Sequence, residues 1–130
     1  MKPLKKILFL YILLQSFFCI NAQEKDCAFF KTGNFKYVLE DQPEIIIRTD
    51  STQVELNPID KIEIYSTVEW ISDCEYVLTY KRIENYPEDV SHIIGKKIYC
   101  EILETNGNWM KVHAKGVYVD APVEFIKLKD

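Results

Sequence analysis

From residue 34 onward the chain alternates apolar and polar positions with a period of two, and stretches of helical period are nearly absent. Alternation of this kind marks strands with one buried face. Asn34–Leu39 carries Phe35, Tyr37 and Leu39 on one face. Pro43–Thr49 and Thr52–Asn57 flank Asp50-Ser51. With those two residues as the loop, Ile45 and Ile47 meet Leu56 and Val54 on one face, while Ile46 and Arg48 meet Glu55 and Gln53 on the other. The first set is wholly apolar and is expected to face the core, which would hold the hairpin in register.

Lys61–Ile71 turns Ile62, Ile64, Val68 and Trp70 inward, with Glu63, Tyr65, Thr67 and Glu69 outward. Cys74–Ile83 groups Cys74, Tyr76, Leu78 and Tyr80. A connection through Ile71-Ser72-Asp73 predicts Trp70 opposite Cys74 and Val68 opposite Tyr76. Around Asn106-Gly107 a two-residue turn would set Ile102 against Lys111. A three-residue loop, Thr105-Asn106-Gly107 with Gly107 left-handed, instead pairs Ile102 with Met110, Cys100 with Val112 and Glu101 with Lys111. The second register is consistent on both faces and is the one expected. Tyr86–Gly95, with Pro87 ahead of Val90, Ile93 and Ile94, predicts one short helical turn. After a Gly116–Pro122 corner, Val123–Leu128 forms a last strand. The fold class that follows is all-β, an antiparallel meander of about seven to nine strands curled into a small barrel or strongly bent sheet.

The chain's beginning reads differently. Lys2, Lys5 and Lys6 precede an apolar stretch of 14 residues, Ile7–Ile20, interrupted only by Gln15 and Ser16, and Ile20-Asn21-Ala22 supplies a cleavage signal before Gln23. That is the build of a secretory signal peptide over residues 1–22. The run is shorter than the roughly 20 apolar residues a spanning helix needs, and Phe17-Phe18 stands before Cys19 where lipid attachment wants small residues. The expected product is secreted or periplasmic, a single β-rich domain over residues 23–130 with no stable membrane span after cleavage. The whole chain has 16 basic and 20 acidic residues; without the three leader lysines the balance is 13 against 20, or −7. Dispersed acidity of this kind excludes a nucleic-acid partner.

Three cysteines remain after the leader: Cys27, Cys74 and Cys100. An odd number in an oxidising compartment reads as one bridge and one free thiol. Cys100 shares a strand face with Ile98 and Ile102, the place of a buried, inert thiol. Cys27 and Cys74 lie at strand margins, where a bridge distorts no ladder. Their pairing is favoured, and the other two pairings stay open.

Three blocks, Phe30-Lys31-Thr32-Gly33-Asn34-Phe35, Arg48–Glu55 and Val68–Tyr76, together resemble a group of small exported proteins of unassigned function from Bacteroidota-type bacteria. Cys27 and Cys74 match the two cysteines that recur in that group, so the resemblance implies their bridge, whereas Cys100 has no counterpart there. The meander with a Gly-x-Phe near its start is also similar to a shortened lipocalin-type barrel. That likeness is one of fold and names no ligand.

Candidate chemistry is sparse. The histidines, His92 and His113, have no triad or metal-ligand spacing around them, and no Gly-x-Ser-x-Gly, phosphate loop or His-Glu-x-x-His occurs. No catalytic residue, metal or cofactor is assigned. Arg48, Gln53 and Glu55 converge on one hairpin face, where a guanidinium fork beside an amide and a carboxylate suits a carboxylate or amide ligand. The ordinary alternative is an Arg–Glu pair with a bonded Gln on an exposed sheet face. Phe35, Tyr37, Trp70, Tyr76 and Tyr80 would line a ligand cavity or simply fill a small barrel. Ligand-binding candidates are therefore Arg48, Gln53, Glu55, Trp70 and Tyr76. The expected function is an exported binding or accessory module that holds a small apolar or amphipathic molecule, or a protein partner, on the sheet; a structural accessory recruited through a sheet edge is a third reading. A small-barrel hydrolase or isomerase using His113 or glutamates is the alternative.

Overall fold

The computed structural model describes residues 24–129. The expected leader and its cleavage site lie outside these residues. Eight antiparallel strands follow one another in a meander: β1 Gly33–Tyr37, β2 Ile45–Arg48, β3 Thr52–Leu56, β4 Glu63–Ser72, β5 Glu75–Glu84, β6 Lys97–Asn106, β7 Trp109–Lys115 and β8 Asp120–Lys127. β8 returns to pair with β1 through Lys36 and Ile126, closing the barrel. Every strand therefore has two hydrogen-bonded neighbours, so recruitment along a whole free sheet edge is ruled out for these strands. The helical turn expected between Tyr86 and Gly95 is present as a 3-10 turn, Ser91–Ile93.

The β2–β3 register is as the alternation predicts, with Arg48 opposite Gln53 and Ile45 opposite Leu56. Its faces are reversed. Ile45 and Ile47 are 37% and 38% exposed, while Ile46, Arg48 and Gln53 are buried. The reason lies in the neighbouring strand, because paired residues share a face of the sheet. Phe35, fully buried, pairs with Ile46, and Lys36 pairs with Ile45. An inward aromatic on β1 thus turns Ile46 inward and carries Arg48 with it. Leu39, expected inside, lies beyond the end of β1 and is exposed.

Two further hairpins differ in register from expectation, each through a bulge. Between β4 and β5 the turn is Asp73-Cys74, with Ser72 opposite Glu75, Trp70 opposite Tyr76 and Val68 opposite Leu78. Ile71 is the extra residue and projects outward. Between β6 and β7 the turn is Gly107-Asn108, with Asn106 opposite Trp109. Leu103 is extra, so Ile102 faces Val112 and Cys100 faces Ala114. An extra residue bends its strand and restores the in/out parity past it. Cys100, Ile102, Met110 and Val112 are accordingly all buried, as the alternation requires, but with different partners. Gly107 has φ of 60°, the left-handed conformation expected for it.

One end of the barrel is capped. Residues 24–31 cross it, and the 3-10 turn Ala28–Phe30 places the fully buried Phe30 beneath the cap, in contact with Phe35 at 6.4 Å between ring centroids. Cys27 is disulfide-bonded to Cys74 in the β4–β5 turn, with 5.3 Å between Cα atoms. Lys127 closes over the cap, its Nζ donating to Phe29 O and lying 4.0 Å from the Phe29 ring. Gly33, with φ of 128°, leaves room for it, since a Cβ there would stand 2.6 Å from Lys127 Cε. No helix among the described residues is long and apolar enough to cross a membrane.

Candidate functional site

Between the cap and the opposite end, where the β1–β2, β3–β4, β5–β6 and β7–β8 loops gather, the barrel holds a cavity of about 220 Å³. Its apolar wall comes from Ile46, Leu78, Ile98, Val112, Val123 and Phe125, with Ala114 and Val119 leaving space toward the loops. The small side chain of Ala114 matters here because its row neighbours on the adjacent strands, Cys100 and Ala121, are also small. Polar atoms enter the cavity from Arg48, Gln53, Glu55, Tyr37, Tyr76 and Tyr80.

Arg48 sits at the capped end, 3% exposed. Its Nε donates to Gln53 Oε1 at 2.9 Å, Nη1 to Phe30 O at 3.1 Å and Nη2 to Tyr76 Oη at 3.1 Å. The guanidinium carbon lies 4.5 Å from the Tyr76 ring centroid and 5.0 Å from that of Phe35, so two aromatic faces flank the cation. Each of the three acceptors is neutral. Among the described residues no carboxylate lies within ion-pair distance of Arg48, and the expected Arg48–Glu55 pair does not form. A cation held out of water with only neutral partners is the most exacting electrostatic feature of the interior.

Glu55 instead accepts a 2.6 Å hydrogen bond from Tyr37 Oη, further along the same wall. Burial raises the Glu55 carboxyl above its ordinary range, the Tyr37 hydrogen bond opposes that shift, and nearby Glu44 adds to it. Burial, then Glu55, pushes the Tyr37 phenol well up, so it stays a donor. Burial likewise lifts Tyr76 to about 12 against the pull of Arg48, and raises Tyr80. A carboxyl that titrates higher folded than unfolded binds more protons in the folded state, so its contribution to stability falls as pH rises from the unfolded carboxylate range toward neutrality. Glu55→Gln is therefore expected to flatten the decline of stability with pH between about 4.3 and 7, measured as urea midpoints of both proteins across that range. An unchanged difference between the two proteins at every pH would show that Glu55 is not the group responsible.

Cys100 is the free thiol among the described residues, buried on the cavity wall as the alternation predicts. Burial lifts its pKa to about 11, with Arg48 and Tyr76 pulling the other way. The thiolate is scarce near neutral pH and the group should resist alkylating reagents in the folded protein, reacting only on unfolding. Mass spectrometry after an iodoacetamide pulse, with and without denaturant, checks this.

The structure brings Arg48, Gln53, Glu55 and Tyr76 of the sequence candidates together. Trp70 stays outside: it packs on Tyr76 at 4.7 Å and under Lys31 at 5.1 Å near the cap, with its Nε1 buried and unbonded. Tyr37 and Tyr80 do line the cavity, whereas Phe35 fills the space behind Arg48. Ala114 and Val119 went unnoticed in the sequence, and Ile46 was set on the hairpin face expected to lie outside; for Ala114 the only signal was a small side chain at an inward strand position, legible once the faces are known. His113 stands on the outer wall, where its Nε2 meets Asp120 Oδ1 at 2.6 Å and holds that carboxyl below its usual range. It does not reach the cavity. Among the described residues no group of three or more His, Cys, Asp or Glu side chains is placed to hold a metal. No family model, curated protein or solved structure matches this chain.

Proposed function

We propose that this protein is an exported binding module that holds a small amphipathic molecule inside its barrel. The observation that carries the reading is the cavity of about 220 Å³, apolar along its length and with a few convergent polar groups on one wall. Ligand sites have this composition, although this one is smaller than the usual 300–1,000 Å³ or so. A dry cavity of roughly 150 Å³ accepts benzene, so the volume suits a ligand of about six to ten non-hydrogen atoms. The cap, the disulfide and the Arg48 hydrogen bonds make one end rigid, which leaves the loop end for entry. The lipocalin-type likeness agrees with this layout as an analogy of fold. Export is supported by the basic start and apolar run of residues 1–20 and by the Cys27–Cys74 bridge, which persists in oxidising compartments.

The test uses 1-hexanol as a neutral amphiphilic probe, followed by methyl NMR. Saturable shifts are expected at Leu78, Ile98, Val112 and Val123, and Ala114→Phe should abolish them by filling the cavity. Shifts confined to the outer-wall residues Ile45 and Ile47, or surviving Ala114→Phe in a folded protein, would overturn the interior site.

A further inference from the structure

Resting on that reading of the cavity, we propose that the ligand is an organic monoanion that enters acid group first, its carboxylate or equivalent oxyanion seated on Arg48 and its short apolar part directed toward the loop end. The guanidinium has five N–H donors. Protein acceptors take three of them: Gln53 Oε1, Phe30 O and Tyr76 Oη. One N–H on Nη1 and one on Nη2 are left without a protein acceptor among the described residues. Arg48 lines the cavity and is only 3% exposed, so its guanidinium meets what fills the cavity and is screened from bulk water.

Charge decides the class. The positive charge is met only by neutral oxygens and two aromatic rings, so an anion gains most by arriving there, and an Arg–carboxylate bond is stronger than its neutral counterpart. Tyr76 Oη, already fixed by Arg48, stands beside the same position. The interior also says what the other end of the ligand must lack. Glu55 lies on the same face of β3 two residues beyond Gln53, fixed by Tyr37, and Glu44 acts on it from the β1–β2 loop. A second negative charge would meet these carboxyl groups, which selects a monoanion with an apolar tail over a dianion. The limited volume selects a short tail.

Three six-carbon probes separate the possibilities by calorimetry on the wild-type protein: hexanoate, 1-hexanol and hexylammonium, with hexanedioate as the dianion. Hexanoate should bind at least about tenfold more tightly than hexanol, the size expected of hydrogen bonds to a charged group. Hexylammonium and hexanedioate should be weaker than hexanoate. Arg48→Lys keeps a cation without the fork and should lose most of the preference for the acid while still admitting hexanol. Equal binding of hexanoate and hexanol would overturn the monoanion inference and leave the carrier reading standing. Tightest binding of hexylammonium would overturn it too, making Glu55 the anchor. Failure of both hexanoate and hexanol to enter would remove the inference and the carrier reading together. Because the wild-type comparison needs no substitution at Arg48, poor folding of Arg48→Lys would not shield the inference.

Discussion

Replacing Arg48 by alanine is expected to lower the stability of the barrel by about 3–5 kcal/mol, several times what an exposed cross-strand pair contributes. The substitution strips hydrogen bonds from Gln53 Oε1, the Phe30 carbonyl and Tyr76 Oη together. Each buried group left unpaired costs about 1–3 kcal/mol. The guanidinium also fills space between Phe35 and Tyr76, so its loss adds a cavity cost. Removing a buried cation recovers some desolvation energy, which keeps the total below the plain sum of these costs. Arg48→Met retains much of the volume and is expected to cost about half as much. Equilibrium urea denaturation measures both. A loss under about 1 kcal/mol for Arg48→Ala, the range of an exposed pair, would mean that the guanidinium does not hold the cap to the barrel.

Opening the Cys27–Cys74 bridge should have an effect of similar size. The two residues are 47 apart in sequence, and closing a loop of that length removes about 4 kcal/mol of chain entropy from the unfolded state. For a domain near 100 residues each kilocalorie moves the melting temperature by roughly 4–8 °C. The paired Cys27→Ser, Cys74→Ser variant is therefore expected to melt about 15–30 °C lower than wild type, as scanning calorimetry would record. Cys100 is then the only cysteine left among the described residues, so exchange between cysteines of the barrel cannot mask the result. A drop of a few degrees would show that the buried Phe30 and its carbonyl bond to Arg48 hold the cap without covalent help.

The two expectations meet in the same strap. Residues 24–31 cover one end of the barrel through one covalent link at Cys27 and through the seat of Phe30 above Arg48. The rigid end is thereby the end where the charge lies. The loop end carries no such strap among the described residues and presents exposed apolar side chains from separate loops, including Leu39, Ile59, Val117 and Tyr118. A covalent strap over the polar base and none over the rim suit a cavity filled from one side.

Much of this architecture follows from local chemistry. Period-two alternation determined that the chain forms strands, where most of them run, and the register of the β2–β3 hairpin, because a one-residue slip would mix its two faces. It also placed Cys100 inside, and the positions of Cys27 and Cys74 at strand margins favoured the bridge that is found. What alternation cannot supply is which of two consistent faces is the inner one. Ile45, Ile47, Val54 and Leu56 form the more apolar face of their hairpin, yet pairing with Phe35 on β1 turns Ile46, Arg48, Gln53 and Glu55 inward. Bulges at Ile71 and Leu103 were hidden for a related reason: one extra residue re-phases a strand without leaving a polar residue on the wrong side. The site depends on both effects. Arg48 becomes a buried cation, Trp70 is drawn to the cap, and Cys100, Ala114 and Ala121 line up as a row of small side chains on the cavity side only once the registers of β6, β7 and β8 are set. Local pattern determined the strands; pairing with their neighbours decided which side of them is chemistry.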